Sequence, residues 1–369
     1  MLGYVIFMKY LNILIKPASS LCNMHCKYCF YNNISSARST FSHGIMSDDT
    51  MVKILDNMFD YLDKEDRVNF AFQGGEPSLA GLEWFRKFVE NTSARKRKNS
   101  VSYSMQTNGI LMNEDWCDFF RENNFLIGLS VDADRKIHDS NRLSHQNKGS
   151  FDDCMKTKEL FDSEKVEYNI LCVLTNELAK KPEKAWHYII SNNIRFIQFI
   201  PCIGYQDNSL RPALFAKFYT HLLPLWIAEL EKGNFISVKQ FDDTANFYLR
   251  GRPTACGIDG KCNNQYVIEA DGSLYPCDFY CFDDYLLGNL CVNSFSEICE
   301  GVKARDFLSE KTETPEICKT CKYIDKCRRG CKRMRGIVYA GKDGVICGNK
   351  LFLDKCLVPL EHTVRKIFK

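Results

Sequence analysis

The sequence has no long apolar run and no marked excess of charge of one sign. None of its hydrophobic stretches approaches the roughly 20 residues that a transmembrane helix needs. The 369 residues carry a formal net charge of only +3, and neither an internal repeat nor a low-complexity tract is visible. We therefore expect no membrane span. We also expect no nucleic-acid partner, because no aromatic stacking set accompanies the basic residues near the last cysteines, Arg328, Arg329, Lys332, Arg333 and Arg335.

A signal peptide is also not indicated. The short N-terminal stretch from Met1 to Met8 is followed by a lysine rather than by a small-residue cleavage site. Hydrophobic residues make up 45% of the chain and charged residues 26%, which is ordinary for a globular protein. We expect a cytoplasmic protein with one large domain and a smaller one.

Cysteine is the residue type that departs from this ordinary composition, with 19 in the chain. Disulfide-rich scaffolds are small secreted domains without a large apolar core, whereas this chain is long and rich in apolar residues. Metal clusters in a reducing compartment are the better interpretation.

One short segment places three cysteines, Cys22, Cys26 and Cys29, at the spacing CxxxCxxC. Iron–sulfur clusters are held by thiolates, and three thiolates leave one iron of a four-iron cluster open to a small molecule. A structural zinc site closes with four ligands and fits this spacing poorly. Phe30 and Tyr31 follow, and the string CxxxCxxCFY resembles that of the radical S-adenosylmethionine (SAM) enzymes.

Strand-like and helix-like segments alternate between residues 11 and 232. The strand candidates are short and apolar, as buried parallel strands are: Leu11–Lys16, Arg67–Gln73, Val101–Gln106, Phe125–Val131, Val166–Leu174 and Ile194–Pro201. Helical patterns lie after Ser47 and near Glu83–Thr92, Glu114–Glu122, Phe151–Ser163, Pro182–Asn192 and Ala213–Lys232.

Six such units in series predict an α/β fold, a partial (β/α)6 TIM barrel with right-handed crossovers. Active sites of barrels lie at the C-terminal ends of the strands, and the three-cysteine loop follows the first strand candidate. After about residue 235 the cysteines become dense and the helices shorten. We expect a barrel domain over 1–235 and a small cysteine-rich iron–sulfur domain over 236–369.

The segment Gln73-Gly74-Gly75-Glu76-Pro77 ends the second strand candidate. Paired glycines let a ligand approach the backbone, and Glu76 can accept hydrogen bonds from an ammonium group. After CxxxCxxC, this string resembles the radical SAM feature that holds the methionine amino group of SAM. A plain turn is the alternative.

Polar side chains end the next two strands and continue into a loop. Asn108 and Ser130 are placed to meet SAM or substrate, or else to cap ordinary strand-to-helix loops. Arg142 either pairs with the SAM carboxylate or is a plain surface arginine.

The C-terminal part supplies eight further cysteines, enough for two fully ligated four-iron clusters or, alternatively, for two zinc ribbons. These eight are Cys256, Cys262, Cys277, Cys318, Cys321, Cys327, Cys331 and Cys347.

Together the strings IKPASS (15–20), CNMHCKYCFY (22–31), FAFQGGEPSLAG (70–81) and YPCDFY (275–280) resemble the anaerobic sulfatase-maturating enzymes. These are radical SAM proteins with a C-terminal SPASM domain. The resemblance implies that a 5′-deoxyadenosyl radical takes a Cβ hydrogen from a cysteine or serine of a sulfatase. A base removes the side-chain proton, a second electron leaves through auxiliary clusters, and the product is Cα-formylglycine.

The resemblance also implies residue roles. Asp278, directly after a cluster cysteine, would be the base; Tyr28 and Gln73 would lie near SAM; Tyr31, Gln73 and Asn108 would lie near the substrate. The SAM-binding [4Fe–4S] cluster would be held by Cys22, Cys26 and Cys29. The first auxiliary cluster would be held by Cys256, Cys262, Cys277 and Cys331, and the second by Cys318, Cys321, Cys327 and Cys347.

Two departures from the family pattern concern the substrate more than the radical chemistry. Asp132-Ala133-Asp134 stands where the family often has Asp-Gly-Pro, and Cys281 stands where an apolar residue is expected. Other hypotheses are a SPASM enzyme that makes thioether or carbon–carbon crosslinks on a ribosomal peptide precursor, and an iron–sulfur electron carrier. We expect a sulfatase or other peptide as substrate, an electron donor such as flavodoxin or ferredoxin, and a monomer.

Overall fold

A computed structural model describes residues 9–204, 209–310 and 313–367. Met1 to Met8, where a signal peptide was not expected, lie outside the described residues. Within the described ranges one sheet of ten strands runs in the order β10-β9-β8-β1-β2-β3-β4-β5-β6-β7. Its strands are β1 (Tyr10–Ile15), β2 (Arg67–Phe72), β3 (Ser100–Thr107), β4 (Phe125–Ser130), β5 (Tyr168–Leu174), β6 (Phe196–Pro201), β7 (Ser237–Val238), β8 (Val267–Ile268), β9 (Ser273–Tyr275) and β10 (Gly288–Asn289).

All six predicted strands are confirmed, each within two residues of its predicted ends. β1 to β7 are parallel, with helices in the crossovers, as the partial barrel requires. The helices are α1 (Phe30–Ser36), α2 (Asp48–Tyr61), α3 (Leu82–Arg95), α4 (Glu114–Glu122), α5 (Arg135–Asn141), α6 (Phe151–Ser163), α7 (Pro182–Ser191), α8 (Pro212–Glu231), α9 (Lys239–Thr244), α10 (Phe295–Cys299), α11 (Val302–Ser309), α12 (Glu316–Lys319), α13 (Ile324–Cys327) and α14 (Gly348–Ile367).

Capping explains where the predicted helix α2 begins. The Ser47 side chain accepts a hydrogen bond of 3.1 Å from the backbone N–H of Thr50, as an N-cap serine does. The short helices α1 and α5 were not predicted, because seven residues give too little periodicity to recognise.

The cysteine-rich part extends the barrel sheet rather than forming a separate one. β8 pairs in parallel with β1, so that Leu14 lies opposite Val267 and Ile15 opposite Ile268. β9 and β10 then continue the sheet in antiparallel fashion. The consequence is that residues after β8 lie beside the C-terminal end of β1, where the barrel opens.

An aromatic cluster fills the space between the sheet and α3. Phe72 is buried, and its ring centroid lies 5.0 Å from those of both Phe85 and Phe88 and 6.1 Å from that of Phe125. Edge-to-face contacts of this kind add to the stabilisation from apolar burial. No helix among the described residues combines the length and apolarity of a membrane span.

We predict that Phe72→Ala lowers stability by about 3–5 kcal/mol, because it removes a buried ring and leaves a cavity. The control is Phe196→Ala, whose side chain lies on β6 and is 45% exposed. Thermal unfolding of the two purified variants should show a large loss of midpoint temperature for Phe72→Ala only. Equal losses would contradict the assigned core.

Candidate active site and cysteine clusters

The loop after β1 brings its three cysteines together. The backbone N–H of Cys29 donates to the carbonyl of Cys26 at 3.1 Å, and the Cys29 sulfur caps α1. Burial raises the pKa of the Cys22 thiol to about 12, and the neighbouring Cys26 and Cys29 act in the same direction. Three adjacent, largely buried thiols from one loop fit an iron–sulfur cluster as ligand set, because thiolates are the ligands that such clusters take.

The two glycines after β2 hold this cysteine loop in place. A Cβ atom added at Gly75 would lie 1.9 Å from the carbonyl oxygen of Leu21. The N–H groups of Gly75 and Glu76 donate to the carbonyls of Ser19 and Leu21 at 2.8 and 2.7 Å. Gly75 therefore allows the chain just before Cys22 to lie directly against the end of β2.

Glu76 is buried and well supplied with hydrogen-bond donors. Its Oε1 accepts from the Ser78 hydroxyl at 2.6 Å and from the Thr107 hydroxyl at 2.8 Å, and its Oε2 accepts from the Asn108 N–H at 2.8 Å. Burial raises its pKa, and these donors oppose the rise. The Asn108 amide in turn donates to the Asn23 side chain at 2.7 Å, which places Asn108 over the cysteine loop.

Arg142 is buried, so the surface alternative for this residue is wrong. Its Nε lies 3.4 Å from Oδ2 of Asp132, and the Tyr28 hydroxyl donates to the same oxygen at 2.5 Å. Burial opposes the charge of the guanidinium, but Asp132 and Tyr28 outweigh it and raise the pKa of Arg142. Ser130 lies half-buried at the end of β4, two residues before Asp132.

Asp278 lies at the barrel mouth between two strand ends. Its Oδ1 accepts a hydrogen bond of 2.5 Å from the ammonium of Lys16, the residue after β1, and its Oδ2 accepts one from the Gln73 amide, the residue after β2. Lys16 is fully buried, with its ammonium 3.6 Å from the centre of the Tyr31 ring. The structure therefore brings together three of the predicted residues, Asp278, Gln73 and Tyr31.

A second carboxylate, Glu269, lies on the other side of Tyr31. Its Oε1 accepts hydrogen bonds from Arg38, at 2.7 Å, and from the Tyr31 hydroxyl, and its Oε2 accepts one from the Ser19 hydroxyl at 2.9 Å. Burial alone would raise the pKa of Glu269, but Lys16 and Arg38 lower it below its ordinary value. Glu269 is thus held as a carboxylate inside the protein.

Lys16, Arg38 and Glu269 were not identified as site residues from the sequence. The usable signal was the lysine at Lys16, a charged residue that directly follows an apolar strand at the catalytic end of a barrel. Nothing local marks the pairing of Arg38 with Glu269, because the two residues lie 231 positions apart along the chain.

The first group of C-terminal thiols comes from three separate segments. Burial raises the pKa of the Cys277 thiol, and Asp278, Cys331 and Cys256 act in the same direction as near neighbours. Gly257, the residue after Cys256, lies directly against Cys331: a Cβ atom added to this glycine would be 2.8 Å from the Cβ of Cys331. Cys262 is held near Cys331 as well.

The second group, Cys318, Cys321, Cys327 and Cys347, lines one cavity. The Asn349 amide donates to the Cys327 sulfur at 3.7 Å. No three His, Cys, Asp or Glu side chains of the described residues are arranged to hold a single metal ion. Four thiols around one cavity are a donor set that fits an iron–sulfur cluster.

Two family models match the chain. The Radical SAM superfamily matches residues 17–184, and an iron–sulfur cluster-binding domain, SPASM, matches residues 260–322. The first contains the three-cysteine loop and the glycine pair, and the second contains Glu269 and Asp278. β8 lies in the second match and pairs with β1, which ends two residues before the first match begins.

Over 98% of its length, the chain is 37% identical to the cysteine-type anaerobic sulfatase-maturating enzyme of Clostridium novyi (strain NT), of which it covers 99%. The chain belongs to the anaerobic sulfatase-maturating enzymes. This maturase is 40% identical over 88% of its length to the cysteine-type enzyme of Clostridium perfringens (strain 13 / Type A), covering 90% of that enzyme. It is 28% identical over 90% of its length to the serine-type enzyme of Bacteroides thetaiotaomicron, covering 85% of it.

Solved structures agree with this family. The maturase matches native anSMEcpe with bound AdoMet and Cp18Cys peptide with a TM-score of 0.87 at 35% identity, over 97% of this chain and 99% of that one. Streptococcus suis SuiB bound to precursor peptide SuiA matches with a TM-score of 0.63 at 15% identity, over 92% of this chain and 76% of that one. This match shows a shared fold alone. The maturase is a radical SAM enzyme that uses SAM and [4Fe–4S] clusters.

We predict that Gly75→Ala displaces the cysteine loop, because the new Cβ would overlap the Leu21 carbonyl and the backbone there has no room to yield. The purified, reconstituted variant should lose about four iron atoms per chain, one cluster's worth. The control Gly301→Ala places its Cβ 3.1 Å from its nearest neighbour and should keep its iron. Full iron content in Gly75→Ala would contradict the close approach.

Proposed function

We propose that this maturase is of the cysteine type and oxidises a cysteine of a sulfatase peptide to Cα-formylglycine. The observation that carries the proposal is the Asp278 carboxylate, held at the barrel mouth by Lys16 and Gln73. Asp278 is 13% exposed at its side chain, whereas Lys16 is fully buried. A substrate can therefore meet the carboxylate while its cation stays behind it. The higher identity to cysteine-type than to serine-type relatives supports the choice of substrate residue.

The thiol groups of the structure supply the proposed cluster ligands. Three thiols of the barrel domain, 1–235, would hold the SAM-binding cluster, and the two groups of four lie in 236–369. When bound, SAM and its cluster supply the 5′-deoxyadenosyl radical that removes a hydrogen atom from the substrate. The ligands are Cys22, Cys26 and Cys29; Cys256, Cys262, Cys277 and Cys331; and Cys318, Cys321, Cys327 and Cys347.

The strand ends that surround the three-cysteine loop are the proposed SAM contacts. Glu76 uses Oε1 for three protein donors, but among the described residues its Oε2 accepts from Asn108 alone. Since a carboxylate oxygen has two acceptor sites, Oε2 keeps one for the SAM ammonium. The further proposed contacts are Tyr28, Gln73, Gly74, Gly75, Ser130 and Arg142, with Tyr31, Gln73 and Asn108 toward the peptide.

Asp278 acts as general base in this proposal. The Lys16 ammonium fixes Oδ1 and the Gln73 amide fixes the plane of the carboxylate, so the proton of the substrate thiol is taken on Oδ2. A carboxylate is in general a weak base, and a thiol, with an ordinary pKa of about 8.5, is an acid that such a base can assist. This favours cysteine over the less acidic serine hydroxyl.

The direct test is anaerobic turnover of two matched peptides, one with a sulfatase Cys-x-Pro-x-Arg motif and one with serine in place of the cysteine. We predict a trapped aldehyde and 5′-deoxyadenosine by mass spectrometry, with faster product formation from the cysteine peptide. Deoxyadenosine without aldehyde on either peptide would overturn the maturase proposal and favour crosslink formation on another peptide. Faster turnover of the serine peptide would overturn the cysteine assignment alone.

We predict that Asp278→Asn retains its iron and its cleavage of SAM but loses aldehyde product by about 10²–10⁴-fold, the usual contribution of a general base. The control Asp284→Asn removes an exposed carboxylate a few residues away and should keep wild-type turnover. The measurement is the ratio of aldehyde to 5′-deoxyadenosine. A wild-type ratio in Asp278→Asn would remove Asp278 as the base.

A further inference from the structure

A buried guanidinium lies directly behind the three-cysteine loop. The backbone amides of His25 and Lys27, on either side of Cys26, donate to the carbonyls of the two residues that flank Arg142, at 2.8 and 2.9 Å. Arg142 is 6% exposed and ends α5. Two backbone hydrogen bonds therefore fix the position of this arginine relative to the cysteine.

The guanidinium of Arg142 lies beside the three-cysteine loop, and the carboxylate of Asp132 partly balances its charge. Its guanidinium lies 5.5 Å from the centre of the Tyr28 ring. Its Nε, 3.4 Å from Asp132, makes no hydrogen bond within the described residues. Tyr28 belongs to the three-cysteine loop, so the buried guanidinium packs against the segment that carries Cys26 and Cys29.

Asp132 is the counter-charge of this arrangement. It is fully buried and accepts hydrogen bonds from the Tyr28 hydroxyl at 2.5 Å and from the Val173 N–H at 2.9 Å. Its own N–H donates to the His138 ring at 3.2 Å. Burial lowers the pKa of His138 to about 4, so this imidazole is neutral at pH 7 and Arg142 is the nearest cation to Asp132 in the described network.

We propose that Arg142 and Asp132 form an opposed charge pair that sets the reduction potential of the cluster held by Cys22, Cys26 and Cys29. Arg142 acts on the cluster through its buried charge beside the cysteine loop, and Asp132 limits its effect. This inference rests on the ligand assignment of the proposed function, but not on which peptide is oxidised.

The physical reason is that reduction adds negative charge to a cluster whose thiolate ligands are already anionic. A buried cation favours the reduced form more strongly than an exposed one, because the local dielectric constant is low. Hydrogen bonds to the ligand sulfurs and nearby charge are among the factors that set cluster potentials. Loss of Arg142 should therefore lower the potential, whereas loss of the Asp132 charge should raise it.

The experiment is an anaerobic redox titration of the reconstituted full-length enzyme without SAM and without peptide, followed by electron paramagnetic resonance. The signal that changes when SAM is added to the wild-type enzyme identifies the three-cysteine cluster. We expect Arg142→Met to reduce the ratio of reduced to oxidised cluster at a fixed potential by about tenfold, which is about 59 mV for one electron. Asp132→Asn should shift the midpoint in the opposite direction, and Arg142→Lys should fall between wild type and Arg142→Met.

Two controls separate tuning from a structural role. The first control is Arg135→Met. Arg135 begins α5 and forms an exposed ion pair with Asp152, so its loss should leave the midpoint potential of the three-cysteine cluster unchanged. The second control is the set of auxiliary-cluster signals, whose midpoints should not change in any variant. Unchanged midpoints in Arg142→Met and Asp132→Asn, or shifts of the same sign, would overturn the proposal. If Arg142→Met fails to bind this cluster, the sign of the Asp132→Asn shift decides.

Absence of any SAM-responsive signal in the wild-type protein would instead contradict the ligand assignment of the proposed function. A SAM-responsive signal with the expected shifts, in an enzyme that makes no aldehyde, would leave the tuning role intact and remove the maturase proposal.

Discussion

The buried ion pair between Lys16 and Asp278 is the interaction on which the rest of the site depends. Taking both charges out of water is costly, and the attraction between them compensates only when the geometry is good and the remaining donors and acceptors are used. Here the second carboxylate oxygen is used by Gln73, and the ammonium also lies on the face of Tyr31. The pair joins the residue after β1 to the residue after Cys277, so it holds the barrel mouth and the cysteine-rich part together in one site.

A second buried pair reinforces the same junction. Arg38 follows α1, Glu269 follows β8, and both contact Tyr31. Removal of one partner of a buried ion pair leaves the other charge buried and unpaired, at a cost of about 3–5 kcal/mol. Each pair therefore strongly favours one arrangement of the barrel relative to the cysteine-rich part. Tyr31, which the family resemblance placed near the substrate, is therefore also a structural contact between them.

Patterns that act over short distances along the chain were predictable. Several of the six long strands are apolar along most of their length. The three-cysteine loop and the glycine pair are contiguous strings, so the sequence alone placed both at strand ends. The strands β7 to β10 have two or three residues and show no period to recognise. Lys16 and Asp278 are 262 residues apart, and no local pattern reports that kind of contact. The burial of Arg142 was not predictable for a related reason, because a charged residue after a short helix is usually exposed.

The pairing of β1 with β8 has a consequence for how the chain is made. On a ribosome the N-terminal part emerges first, and one edge of β1 then has no strand partner until residues near 267 follow. Open strand edges invite pairing with other chains, and contacts between residues so far apart in sequence form slowly. The three cysteines that follow β1 are thus synthesised long before the residues that enclose them. A newly made chain would depend on protection from aggregation and from oxygen during this interval.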